Sequence, residues 1–171
     1  MGHIQSYVNN LSNRRHEAIP KSCLQIMRQL CENRTCIESM IGCKYLLSQI
    51  FFVIKTHESL TDICCQTLSK VFQIDSIDQL VIQAINTQLI HHLLKLLDSN
   101  QSQFNSSTKA QIVQILKSML KSTAYGSQVN ELLDKSSVWS EYRDQKHDLF
   151  ITNSQISGYL TGKSPTYINQ S

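Results

Sequence analysis

An amphipathic helical pattern recurs three times along the chain, and this recurrence restricts the fold more than any other feature. Within 60–71, the residues Leu60, Ile63, Cys64, Thr67, Leu68 and Val71 keep the spacing i, i+3, i+4, i+7, i+8, i+11, which draws one apolar stripe down a helix. Leu24, Met27, Leu30 and Cys31 carry the same stripe, and Ile112, Leu116, Met119 and Leu120 carry it again. Laying the three over one another puts Met27 on Leu68 on Leu116 and Leu30 on Val71 on Met119, with offsets of 41 and 48 residues. No segment shows the clean alternation of a half-buried strand, so no sheet is expected.

The period falls near that of armadillo and HEAT repeats, roughly 40–47 residues. Each stripe is followed by a shorter helical piece and a break, at Gly42, at Asn86-Thr87 and at Gly126. A further helix should then begin at Tyr45-Leu46-Leu47, at Leu89-Ile90 and at Leu132-Leu133. Ser59 stands where it can cap the second stripe, and Ser106 and Ser107 where they can cap the third. The expectation is an all-α chain of about three armadillo/HEAT-like repeats over residues 16–151, with an irregular helical bundle as the alternative. Residues 1–15 form an extension that either adds a helix through Ile4, Tyr7, Val8 and Leu11 or frays. Residues 152–171, rich in Ser, Thr, Asn, Gln and Gly and interrupted by Pro165, are expected to be a disordered polar tail. A first repeat without a neighbour should also leave an apolar patch at the N-terminal end.

Composition closes off several function classes. Hydrophobic residues make up 41% and charged residues 17%, a globular balance in which uncharged amides and hydroxyls supply most of the polarity. The net charge of +3 is dispersed, with Arg14-Arg15-His16 its densest group, so no concentrated basic face for nucleic acid is expected. The longest apolar stretch, 45–54, is interrupted by Ser48 and Gln49 and falls short of the roughly 20 residues of a transmembrane segment. Met1-Gly2-His3-Ile4-Gln5 lacks the order of a secretory signal, and a cytoplasmic chain is expected. Six cysteines lie between Cys23 and Cys65 without a Cys-x-x-Cys pair or a matching His pair, so they are expected to be free thiols packed in the core.

Catalytic and cofactor patterns are missing at the spacings chemistry requires. Glycines at positions 2, 42, 126, 158 and 162 cannot form a phosphate-cradling loop. His57-Glu58 begins like a zinc-protease motif, yet Thr61 stands where the second metal-binding His belongs. His91-His92 point about 100° apart on a helix, which suits one buried and one solvent-facing ring better than two ligands. No enzymatic activity, metal or cofactor is expected. Partner binding is the usual work of stacked repeats, and the candidate contact residues are Trp139, the sole tryptophan, Tyr142 one turn later and Phe150 beyond. The competing assignment for Trp139 and Tyr142 is that they cover core at the end of the last repeat.

The C-terminal segment carries a more specific signal in Val138-Trp139, Asp144-Gln-Lys-His-Asp-Leu-Phe150 and Gly158-Tyr-Leu-Thr-Gly162. It resembles the extreme C-terminal region of the large endosomal DnaJ-type co-chaperones of receptor-mediated endocytosis, the group of DnaJ subfamily C member thirteen. The resemblance implies a peripheral protein of early endosomes built mostly of armadillo-like repeats. Its implied partners are endosomal sorting proteins of the sorting nexin, retromer or actin-nucleating complex class. In that family a J domain stimulates the seventy-kilodalton heat-shock chaperone through a His-Pro-Asp tripeptide. Here the two prolines follow Ile19 and Ser164, so this chain cannot act on the chaperone in that way. It is expected to be a C-terminal piece of a larger protein acting as a non-catalytic scaffold, with Tyr159 of the Gly-Tyr-Leu-Thr motif as a further contact residue. The alternative is a free-standing armadillo-type adaptor unrelated to endosomes.

Overall fold

A computed structural model describes residues 2–13, 16–74, 77–98 and 104–143, and every regular element among them is helical. The helix α1 spans Gly2–Asn10, and three sets of three follow. The first set is α2 (Ala18–Leu30), α3 (Arg34–Ile41) and α4 (Leu46–Thr56). After a single 3-10 turn at Glu58–Leu60, the second is α5 (Thr61–Val71), α6 (Asp78–Asn86) and α7 (Leu89–Leu97). The third is α8 (Ser106–Met119), α9 (Gly126–Asp134) and α10 (Ser137–Arg143). This is the helical-repeat class expected from the periodicity.

The three striped helices form the inner layer, with α5 packed between α2 and α8. A helix flanked on both sides must be buried around most of its circumference, and α5 buries Thr61, Cys64, Cys65, Thr67, Leu68, Ser69 and Val71. Two of its buried polar positions bond to their own helix: Thr67 donates to the Ile63 carbonyl at 2.8 Å and Ser69 to the Gln66 carbonyl at 2.9 Å, whereas the Thr61 hydroxyl is buried without a partner among the described residues. Small Cys, Thr and Ser side chains keep the helix slim where two neighbours lean on it. Between repeats, Thr108 donates to Asp62 at 2.7 Å, Ser122 and Thr123 both donate to Asp78, and Arg28 donates to Gln66 at 3.3 Å.

Two joints repeat in backbone detail. Tyr45 and Gln88, 43 positions apart, have φ of 66° and 60° and immediately precede α4 and α7. A left-handed non-glycine residue costs about 1 kcal/mol or more, so the same strained corner at both places marks them as equivalent turns. The third repeat has no such corner and passes from α9 to α10 through Lys135 and Ser136. Leu132-Leu133 accordingly lie inside α9, the middle helix, and do not begin the last one. Gly126 opens α9 because a Cβ there would stand 2.7 Å from the Leu120 carbonyl oxygen, a close backbone approach that only glycine permits.

The caps differ from the sequence expectation in the same local way. Asn105, not Ser106 or Ser107, caps α8 by accepting from the Thr108 amide at 2.8 Å. Ser59 caps nothing and donates its hydroxyl to Glu17 at 2.5 Å, tying the start of α5 to the start of α2. At the N-terminal end, α1 packs on α2, α3 and α4 and buries Val8 and Leu11 completely. The segment assigned to an extension thus adds a helix that belongs to the core and covers most of the face expected to be bare, leaving Ile19 37% and Tyr45 56% exposed in the first repeat. The tail at 152–171 lies outside the described residues.

Candidate interaction surface

The last helix decides what the aromatic residues do. α10 packs on α7 and α9 and places Trp139 and Tyr142, one turn apart, on its inner face, each 1% exposed. The Tyr142 hydroxyl donates to the Leu97 carbonyl at 3.1 Å, in the last turn of α7 where carbonyls have no partner within the helix. Arg143 pairs with Asp134 at 3.2 Å across the α9–α10 corner. Neither ring offers a face to a partner: among the described residues both are buried where α10 meets α7 and α9. Phe150 and Tyr159 lie outside the described residues.

A groove of about 440 Å³ lies open between α7 and the α9–α10 corner. Leu94, Leu132 and Val138 line its floor, and His91, Lys95 and Lys135 stand around it with Asp98 at the end of α7. Leu132, 37% exposed, is one of only three large apolar side chains left this open among the described residues. A smaller hollow of about 130 Å³ shares His91, Leu94 and Leu132 and continues toward Gln88. The two adjacent histidines separate as their helical angle requires. His91 faces out, whereas His92 is half-buried with its ring edge-on to Phe51 of α4 at 5.3 Å. Burial, followed by the nearby charges of Lys55, Lys95 and His91, pushes the His92 pKa below its usual value. Lys55 lies over the Phe51 ring at 5.3 Å.

Sequence reasoning did not single out Leu132, Lys95 or Lys135. One signal was available: Lys55 and Lys95 each sit in the last turn of a third helix, and neither α4 nor α7 contains an acidic residue.

The cysteines behave as small apolar residues. Cys23, Cys31, Cys43, Cys64 and Cys65 are buried and Cys36 is partly so, all as free thiols. Burial pushes the Cys31 thiol up to about 11, with Glu32 adding to it, and the Cys65 thiol up to about 12, with Asp62 adding to it. They are protonated at neutral pH and poor nucleophiles. Among the described residues no group of three or more His, Cys, Asp or Glu is arranged to hold a metal ion. Nor is any single described helix long and apolar enough to cross a membrane.

No protein-family model matches the chain, and no solved structure matches it. It is similar to the DnaJ homolog subfamily C GRV2 of Arabidopsis thaliana, at 32% identity over an alignment of 165 residues that takes in 85% of this chain. The chain spans about 6% of the length of that relative. Over most of its length, therefore, this three-repeat helical chain is related to a short stretch of a DnaJ subfamily C protein.

Proposed function

We propose that the chain is a non-catalytic, protein-binding scaffold segment of an endosomal J-domain co-chaperone that acts in receptor-mediated endocytosis and endosomal sorting. The observation that carries this reading is the relationship to a DnaJ subfamily C protein across most of the chain. The motifs at 138–162, which resemble the group of member thirteen, add the endosomal assignment. On this reading the protein works on the cytoplasmic side, peripherally on early endosomes. Its partners come from the sorting nexin, retromer or actin-nucleating complex class, and the heat-shock chaperone is engaged only through a J domain elsewhere in the protein. The repeats supply a rigid, extended surface, which is how solenoid modules recognise partners.

The test is capture of endosomal sorting proteins from lysate by the intact chain, by Tyr159→Ala and by a chain truncated after Ile151, with helicity checked in each. Enrichment of sorting components by the intact chain supports the scaffold reading, and reduced enrichment by the other two assigns part of the contact to the segment after α10. Failure of the folded intact chain to enrich any endosomal component would overturn the reading in favour of an adaptor unrelated to endosomes.

A further inference from the structure

We propose that the groove between α7 and the α9–α10 corner docks an acidic peptide segment of a partner protein, with one apolar side chain of that segment seated on Leu94, Leu132 and Val138. This rests on the reading of the chain as a binding module and goes beyond it by naming the chemistry of the ligand. The charge argument comes first. Lys55 on α4, His91, His92 and Lys95 on α7 and Lys135 at the α9–α10 corner form a run of cationic or protonatable groups, and none of them takes part in an ion pair. Since α4 and α7 contain no acid, the neutralising charge is missing from the two helices that carry most of the run. Of the nearby acids, Glu131 stands on α9 four residues before Lys135 but forms no ion pair with it. Asp134 is held by Arg143 at 3.2 Å and by Asn130 at 2.7 Å, and Asp98 is a single acid at one end of the groove. Unpaired cations around a partly apolar recess attract an anion and disfavour a cation, so charge complementarity selects an acidic ligand.

The shape argues for a peptide over a membrane surface. Leu94 is nearly buried and Val138 half-buried, so the apolar floor is recessed below the lysines. A flat anionic surface meets the lysine tips and leaves that floor empty, whereas a side chain projecting from an extended backbone reaches it. The adjoining 130 Å³ hollow has room for one aliphatic or small aromatic group. Exposed Leu132 at the boundary of both hollows then gains a neighbour, which accounts for a large apolar side chain standing open on an otherwise well-covered stack.

The test measures fluorescence anisotropy of labelled peptides with the intact chain. Four probes are used: an acidic peptide with a central leucine, the same peptide with alanine in its place, a peptide with every acid changed to lysine, and vesicles of phosphatidylcholine with or without phosphatidylserine. The acidic leucine peptide should bind most tightly, the alanine version more weakly and the lysine version not at all. Raising the salt should weaken binding. Lys95→Glu with Lys135→Glu should weaken it about tenfold, and Leu132→Ser should abolish the preference for leucine. All three positions are exposed, so helicity and thermal midpoint serve as the folding check. Equal binding of the acidic and basic peptides, no binding of the acidic peptide, or unchanged affinity in the doubly charge-reversed chain would overturn the proposal. So would binding to phosphatidylserine vesicles without binding to the peptide. Capture of endosomal proteins by the charge-reversed chain separates the two levels: undiminished capture removes the groove and leaves the scaffold reading standing.

Discussion

The first and last described helices, α1 and α10, pack on their neighbours with different side chains. At the N-terminal end the nine residues of α1 and the turn after it lie across three helices and cover them with aliphatic Val8 of the helix and Leu11 of the turn. Gln5 adds a polar clasp, accepting from the Lys44 amide at 3.1 Å. At the C-terminal end α10 has only seven residues, and it fills its contact with α7 and α9 using Trp139 and Tyr142. Aromatic side chains bury 150–250 Å² each, so a short helix can cover a repeat end only by carrying rings. Tryptophan and tyrosine near the end of a solenoid are therefore weak evidence of a binding site, because the need to cover core explains them equally well.

If that contrast is right, truncating the rings should cost most. Trp139→Ala is expected to destabilise the chain by about 3–5 kcal/mol, the range for removing a large buried ring. Hydrogen exchange should show protection lost first in α9 and α10, since neighbouring repeats are coupled only to each other. Leu11→Ala tests the opposite end and should cost about 2 kcal/mol, near the lower edge for a buried leucine, because α1 can settle into the space. Its loss of protection should appear in α1 and α2 and leave α10 unchanged. Equal costs with the same exchange pattern would show that the ends are not independent caps.

A finer probe of the C-terminal end is Tyr142→Phe, which keeps the ring and removes the hydroxyl that donates to the Leu97 carbonyl. The expected loss is about 1 kcal/mol, a fall in thermal midpoint of about 2–4 °C. No change would mean that the hydroxyl is incidental to the packing.

The effect that vanishes at neutral pH should arise away from both ends. Cys31, at the C-terminal cap of α2, and Cys65, in α5, have thiol pKa values raised from 9.0 to about 11 and about 12. Below pH 9 the thiols are protonated whether the chain is folded or not. As pH rises past 9, the unfolded chain ionises while the folded chain holds its protons, so stability is progressively lost up to about pH 11–12. Denaturant midpoints measured from pH 8 to 11 should fall, and the fall should be shallower in Cys65→Ala. A steeper fall in that variant would contradict the burial account.

The inner layer was legible in the sequence because α2, α5 and α8 present period-3.6 stripes long enough to leave little ambiguity. The left-handed corners were not, since Tyr45 and Gln88 are residue types that give no warning of positive φ. Missing that corner in the third repeat moved Leu132-Leu133 into the wrong helix: paired leucines suit a middle helix as well as a last one. Ser59 was misassigned because a hydroxyl before a helix can cap it or bond elsewhere, and Glu17, 42 residues away in sequence, competes for it. The groove escaped notice for a related reason. His91, Lys95, Leu132 and Lys135 look like ordinary helix-surface residues until α7 and α9 are brought together.

The most direct test uses Trp139, the only tryptophan, as its own reporter. In the folded chain its emission should be blue-shifted and weakly quenched by acrylamide. Both properties should stay unchanged when the acidic leucine peptide saturates the groove, because the ring is buried and the contact lies elsewhere. Solvent-like emission in the free chain, or efficient quenching that the bound peptide suppresses, would contradict the account and return Trp139 to the binding surface.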